Sequence, residues 1–187
     1  VKGKPMQIAF NYKSSPLNVV NNGHTIQVNY APGSTISIDS TEYALLQFHF
    51  HTPSEHKIAG KAAAMELHFV HRNAAGKLAV VGVMMNEGKE HPLIAQVWKA
   101  IPPTGKTNAM SNSSIDASNL LPPSKSYYTY DGSLTTPPCS EGVKWHILAA
   151  PITVSSAQIR EFAKLYPVNA RPLQPTQTRR IELHGTV

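Results

Sequence analysis

One run constrains this chain more than any other: Leu45-Leu46-Gln47-Phe48-His49-Phe50-His51 alternates between bulky apolar side chains and nitrogen-bearing polar ones. Successive side chains of a β-strand point to opposite faces. The run therefore predicts a strand with Leu46, Phe48 and Phe50 on one face and Gln47, His49 and His51 on the other. Two imidazoles then stand side by side on one surface. Adjacent imidazoles on a rigid strand repel each other when both are protonated, so the arrangement favours neutral rings that share one divalent cation. The competing reading is a solvated polar strand face, because short metal motifs also match by chance.

A second alternating run, Met65-Glu66-Leu67-His68-Phe69-Val70-His71, places Glu66, His68 and Val70 on one face and Leu67, Phe69 and His71 on the other. Paired beside the first strand, His68 completes a three-imidazole set with His49 and His51. Three neutral nitrogens leave one tetrahedral position open, which is what separates a catalytic zinc site from a closed structural one. Gln47 and Glu66 each precede a candidate ligand by two residues on the same face. At that offset a side chain can accept an imidazole N–H and so fix its tautomer and orientation. Cys139 is the only cysteine, which excludes both an intramolecular disulfide and a multi-cysteine zinc knuckle.

The remaining composition is permissive. With 187 residues, 41% hydrophobic and 15% charged, the chain has the size and make-up of one globular domain, 1–187, with a sizeable core. No stretch of about 18 apolar residues offers a membrane span. A formal charge of +6 would allow an anionic partner. The cations are scattered, however, with Arg179-Arg180 the densest cluster, and no basic run is interleaved with stacking aromatics. That pattern argues for a solvated basic surface and against nucleic acid.

Along the chain, short strands are expected at Gln7 to Tyr12, Thr25 to Asn29, Thr35 to Ile38 and Tyr43 to His51, separated by Ser-Ser-Pro, Asn-Asn-Gly and Ala-Pro-Gly turn signals. After the Met65 to His71 strand, Leu78 to Met85 is almost continuously apolar and reads as a strand buried on both sides. Pro92 to Ile101 predicts a short helix that Pro102-Pro103 ends. Residues 104–126 read mainly as loop. A strand is expected at Val143 to Leu148 and another at Arg180 to Leu183. Between them, Ser155 with Gln158 signals a capping box for a helix to Tyr166, with Ile159, Phe162, Ala163 and Tyr166 on its apolar face. The sum is mainly β with peripheral helices.

Five motifs together resemble an α-class carbonic anhydrase of the bacterial branch: Gln47 to His51, Ser54-Glu55-His56, Glu66 to His71, Asn21-Asn22-Gly23-His24, and Tyr130-Asp131-Gly132-Ser133-Leu134-Thr135-Thr136-Pro137-Pro138. The resemblance runs from about residue 16 to the C-terminus. It implies a large twisted, mostly antiparallel central sheet with a conical active-site cleft. It also implies Zn2+ on His49, His51 and His68, and reversible hydration of carbon dioxide to bicarbonate and a proton through zinc-bound hydroxide. By the same carry-over, Thr135 accepts a hydrogen bond from that hydroxide and donates its own to an ionised Glu55. Gln47 and Glu66 support the ligands. Val70, Val80, Leu134, Val143 and Trp145 form an apolar substrate pocket with Thr136 beside it.

The resemblance further implies that His24 relays the product proton to buffer, since histidine titrates near neutral pH. Asn22 and Gln27 would order the intervening water. His56, His71, His91, His146 and His184 are read as structural or surface residues. Family members carry several dozen residues before the position of Val1, including in bacterial members a cysteine that pairs with the position of Cys139. The chain is accordingly expected to be N-terminally incomplete, and periplasmic or secreted by the family's habit. The implied partner is a small molecule, with a homodimer left open. A competing class is a non-catalytic binding module on the same fold, or an inactive fragment, and the complete histidine set distinguishes against it. A serine hydrolase is excluded for want of a Gly-x-Ser-x-Gly elbow.

Overall fold

In the computed structural model, residues 8–185 are described. The chain runs β1 (Ala9–Asn11), β2 (Ser15–Asn21), β3 (Ile26–Asn29), β4 (Thr35–Ile38), β5 (Thr41–His51), β6 (Lys57–Ile58), β7 (Lys61–Ala62), β8 (Met65–Asn73) and β9 (Leu78–Glu87). Then follow α1 (Pro92–Lys99), β10 (Lys106–Ile115), a 3-10 turn (Ala117–Leu120), β11 (Tyr127–Ser133), β12 (Glu141–Val154), α2 (Ser156–Leu165) and β13 (Glu182–His184). Most of the strands form one large sheet in the order β10-β2-β3-β5-β8-β9-β12-β11-β13, with β4 pairing both β1 and β5. Among the described residues every pairing is antiparallel except that of β9 with β12. The expected mainly β architecture with peripheral helices is what the chain forms.

The two alternating runs pair as anticipated, with Cα partners His49↔His68, His51↔Glu66 and Gln47↔Val70. One detail of the alternation differs. A bulge between Leu45 and Gln47 leaves Leu46 without a partner on β8, and an extra residue in one strand reverses the facing of what precedes it. Leu45, 2% exposed, joins Phe48 and Phe50 in the core, while Leu46 lines the open cleft instead of sharing their face.

The main core lies behind the sheet. Phe48, Phe50, Leu67 and Phe69 pack there with Val81 and Val83, and Trp98 and Phe162 of the two helices close over them. Phe50 and Trp98 meet edge to face at 4.8 Å between ring centroids. The capping box on α2 is formed as expected, with Ser155 accepting from the Gln158 backbone and the Gln158 side chain accepting from Ser155. A second, smaller cluster on the other face contains Val70, Val80, Val143, Trp145 and Ile147.

Five strands depart from the expectations. β2 begins at the Ser-Pro read as a turn, because Pro16 sits near its bulged end and leaves the Leu17–Asn21 ladder to β10 intact. β10 itself, Lys-Thr-Asn-Ala-Met-Ser-Asn-Ser-Ser-Ile, lies at the sheet's edge and is mostly exposed. A polar edge strand discourages pairing with other chains, and its composition resembles a loop. β11, Tyr127–Ser133, is a strand that the sequence pattern shows only as part of the Tyr130 to Pro138 motif. The strand expected at Gln7 to Tyr12 is shorter, Ala9–Asn11, and Gln7 lies outside the described residues. The last strand is shifted to Glu182–His184.

Candidate metal centre

A cleft of about 800 Å³ opens on the face of the sheet opposite the main core. Gln27, Gln47, His49, His51 and His68 rise from neighbouring strands to line it, with Val70, Val80 and Trp145 on one side. The turn Leu134-Thr135-Thr136 forms another wall, and residues 168–171, with Tyr166, a third. Asn22 and His24 stand at the rim.

Each of the three imidazoles has one nitrogen engaged by a partner of its own. His49 Nδ1 donates to Gln47 Oε1 at 2.8 Å. His68 Nε2 donates to Glu66 Oε1 at 2.8 Å. His51 Nδ1 donates to the backbone oxygen of Asn169 at 3.2 Å, and Glu55 Oε1 lies 3.3 Å from the same nitrogen. A neutral imidazole that donates through one nitrogen carries a lone pair on the other. The ligating atoms of His49, His51 and His68 lie within 4.8 Å of one another. His51 Nε2 is buried and has no hydrogen-bond partner. Burial, and then repulsion by the two neighbouring rings, holds His49 well below the ordinary histidine range. Burial and the His68 ring lower His51 to about 4. Convergent, and each held through one nitrogen by its own partner, these rings fit a divalent cation of zinc's preferences.

The support beneath His68 extends further than the sequence suggested. Glu66 Oε1 and Oε2 also take the ring and backbone N–H of His56, at 2.7 and 2.8 Å, and the other His56 nitrogen lies 2.6 Å from the Tyr130 hydroxyl. Burial alone would raise the Glu66 carboxyl, but His56 and His68, by charge and hydrogen bond, outweigh it and keep the group well below its usual range. His56 is thus part of the site's foundation. Gly82 allows β9 to approach this pair closely. A Cβ there would lie 2.6 Å from Ile147 Cδ1 and 3.0 Å from Glu66 Oε1.

Other expected residues are brought together with differences. Glu55 is 8% exposed, accepts from the Arg171 backbone N–H at 2.7 Å, and lines a second cavity of about 440 Å³ that Thr135 also borders. The bond expected from the Thr135 hydroxyl is not formed: Glu55 Oε2 has no hydrogen-bond partner. The carboxylate leans instead toward the imidazoles, with Oε2 3.9 Å from His68 Nδ1. Asn22 does not offer its side-chain oxygen to the cleft, because that atom accepts the backbone N–H groups of His24 and Thr25, both at 2.9 Å. Gln27 donates to Asn29 at 2.7 Å. Val143 is buried among Val70, Val80 and Trp145 and backs the pocket without lining it. Thr136 lies on the cleft wall.

Sequence reasoning missed Asn169 and Arg171, whose contacts with His51 and Glu55 span more than a hundred residues and leave no local signal. The Glu55-His56 pair carried a hint of His56, but its bond to Glu66 depends on a turn after β5.

A mainly β protein with three convergent histidines in an open cleft belongs to a small class of folds. Residues 2–184 match the family model described as eukaryotic-type carbonic anhydrase, and the chain belongs to that family. It is 47% identical over 170 residues to a carbonic anhydrase of Nostoc sp., covering 90% of this chain and 64% of that protein. It is 44% identical over 176 residues to one of Pectobacterium carotovorum, covering 94% and 71%. The chain therefore spans about two thirds of the length of these relatives. Among solved structures, a hyperthermostable carbonic anhydrase from a hydrothermal vent chimney superposes with a TM-score of 0.96 at 46% identity, covering 99% of this chain and 83% of that one. The α-carbonic anhydrase of Thermovibrio ammonificans, in complex with the inhibitor sulfanilamide, gives 0.93 at 41% identity, covering 97% and 81%.

Proposed function

We propose that this chain carries a zinc-dependent carbonic anhydrase activity, the reversible hydration of carbon dioxide to bicarbonate and a proton. The observation that carries the reading is the convergence of three imidazoles, each with one nitrogen engaged and the other directed toward a common point. Zinc held by His49, His51 and His68 would lower the pKa of a bound water to about 7 and so supply a nucleophile at neutral pH, a magnitude established on carbonic anhydrases themselves.

The protein's own groups do the rest. Gln47, Glu66 and the Asn169 carbonyl hold the rings in the tautomers that keep their lone pairs inward. Glu55 Oε2 is unengaged in this structure, and in the working site it would accept the Thr135 hydroxyl. With its O–H donated to Glu55, the Thr135 oxygen could only accept a further hydrogen bond, and would so aim the nucleophile's lone pair away from itself. Val70, Val80, Leu134 and Trp145, backed by Val143, offer an uncharged surface to an uncharged substrate, and Thr136 offers its hydroxyl to bicarbonate. At the rim, exposed His24 exchanges the product proton with buffer, with Asn22 and Gln27 beside the path.

The family resemblance also supports a single domain over 1–187 and a periplasmic or secreted setting. Among the described residues no helix is long and apolar enough to cross a membrane. Metal analysis should find one zinc per chain, and stopped-flow assays should find hydration that an aromatic sulfonamide blocks. Full activity in rigorously metal-free protein would reject the proposal.

A further inference from the structure

Asn169 lies on the loop after α2 and touches two parts of the cleft that have different tasks. Its backbone oxygen receives the His51 ring, and its backbone N–H donates to Thr52 O at 3.1 Å. Its side chain is fully engaged. Oδ1 accepts from Thr52 N at 2.8 Å, while Nδ2 donates to Phe50 O and to His24 O, each at 3.0 Å. One side chain therefore ties the end of the ligand strand to the backbone of the rim histidine.

The turn that bears His24 needs such a tie. Gly23 has φ +85, and the turn is otherwise closed by the Asn22 side chain acting within it. Thr25 Oγ1 donates to Phe50 O, the same oxygen that Asn169 uses. The His24 backbone is referenced to the β5 end through Asn169 and through its neighbour Thr25. The distance from the metal ligands to the backbone that bears the rim imidazole is then set by hydrogen bonds instead of by a loose loop.

We infer that Asn169 is a positioning residue that couples the proton-relay turn to the metal ligand His51, so that the relay path keeps its length when either end moves. This rests on the proposed reading of His24 as the relay and of His51 as a ligand. The coupling is carried by Nδ2 toward His24 and Phe50, and by the Asn169 backbone toward His51.

The test uses the zinc-loaded protein and two variants. Asn169→Asp keeps the acceptor for Thr52 but removes both Nδ2 donations, and Asn169→Ala removes the side-chain bonds altogether. In weak buffer, kcat of each should fall roughly 5- to 10-fold, in line with the cost of misplacing a reacting group by a fraction of an ångström, while kcat/KM falls no more than about threefold. Added imidazole buffer should restore most of kcat. Combined with His24→Ala, either change should lower kcat no further, because both act on one step. Zinc release to a chelator should quicken by about 3- to 10-fold in Asn169→Ala, as expected when a ligand's support loosens.

Additive losses with His24→Ala, or a kcat loss that imidazole does not restore, would overturn the coupling. If His24→Ala alone leaves kcat in weak buffer unchanged, the relay role itself fails and the coupling fails with it. If His24→Ala slows turnover but Asn169→Asp does not, the relay stands and only the coupling is wrong.

Discussion

The two faces of the central sheet carry two sets of histidines that differ in what their nitrogens meet. On the cleft face His49, His51 and His68 each give one nitrogen to a partner and turn the other toward a shared point. On the opposite face His71 is saturated, donating to Ala79 O at 3.2 Å and receiving the Tyr12 hydroxyl at 2.8 Å. His146, fully buried and 5.3 Å from the Tyr127 ring, has neither nitrogen engaged. Burial lowers His71 and His146 to about 3, so depressed basicity does not distinguish the faces. Convergence does. A buried imidazole becomes a ligand only where others aim at the same place and a partner holds each ring there.

The sharpest break in the comparison is His68→Ala. It should abolish stoichiometric zinc and lower kcat/KM by more than the roughly 100-fold that marks loss of a merely supporting residue. Near-native activity would dissolve the distinction between the faces.

A matched pair comes next. Glu66→Ala frees the His68 ring and should weaken zinc binding about 10- to 100-fold in competition with a chelator. Tyr12→Phe removes the corresponding support of His71 and should cost about 1 kcal/mol in urea unfolding. Zinc affinity in Tyr12→Phe should be unchanged, and an effect there as large as that of Glu66→Ala would show that the faces are not independent.

Acid should expose the back face. The folded-state pKa of His71 and His146 lies below the unfolded value near 6.5, so the native protein binds fewer protons than the unfolded chain. The stability this confers is fully present above about pH 6.5 and is lost as pH falls toward about 3. Each group then contributes a slope of about 1.4 kcal/mol per pH unit. Urea midpoints measured on metal-free protein from pH 7 to 5 should fall accordingly, and a flat profile would contradict the burial of these rings.

The smallest effect belongs to His146→Leu. Replacing an unengaged buried ring with an apolar side chain should be neutral or stabilising by about 1 kcal/mol, should remove that one group's share of the acid slope, and should leave hydration activity alone.

Much of the cleft face was legible because strand alternation converts sequence spacing directly into facing. Gln47, His49 and His51 share a side by that rule, as do Glu66 and His68, and the two-residue offsets already contained the bonds from each ring to its support. The core strand β9 declared itself by an unbroken apolar run, and α2 by its capping box. Edge strand β10 did not, since a strand exposed at a sheet edge has the composition of a loop. Simple alternation puts Leu46 on the wrong face, because a bulge depends on how two strands register, which neither strand encodes alone.

What the sequence determined by itself is therefore local: which residues lie on one face, which histidines have a partner two positions away, and which segments can be strand or helix. Tertiary structure alone decided that the third ring's support comes from the backbone of Asn169, that Arg171 holds Glu55, that His56 joins Glu66, and that Thr135 and Glu55 border one cavity without bonding. These contacts close loops of tens to more than a hundred residues. Their geometry follows from the packing of the whole sheet, and no short window of sequence can carry it.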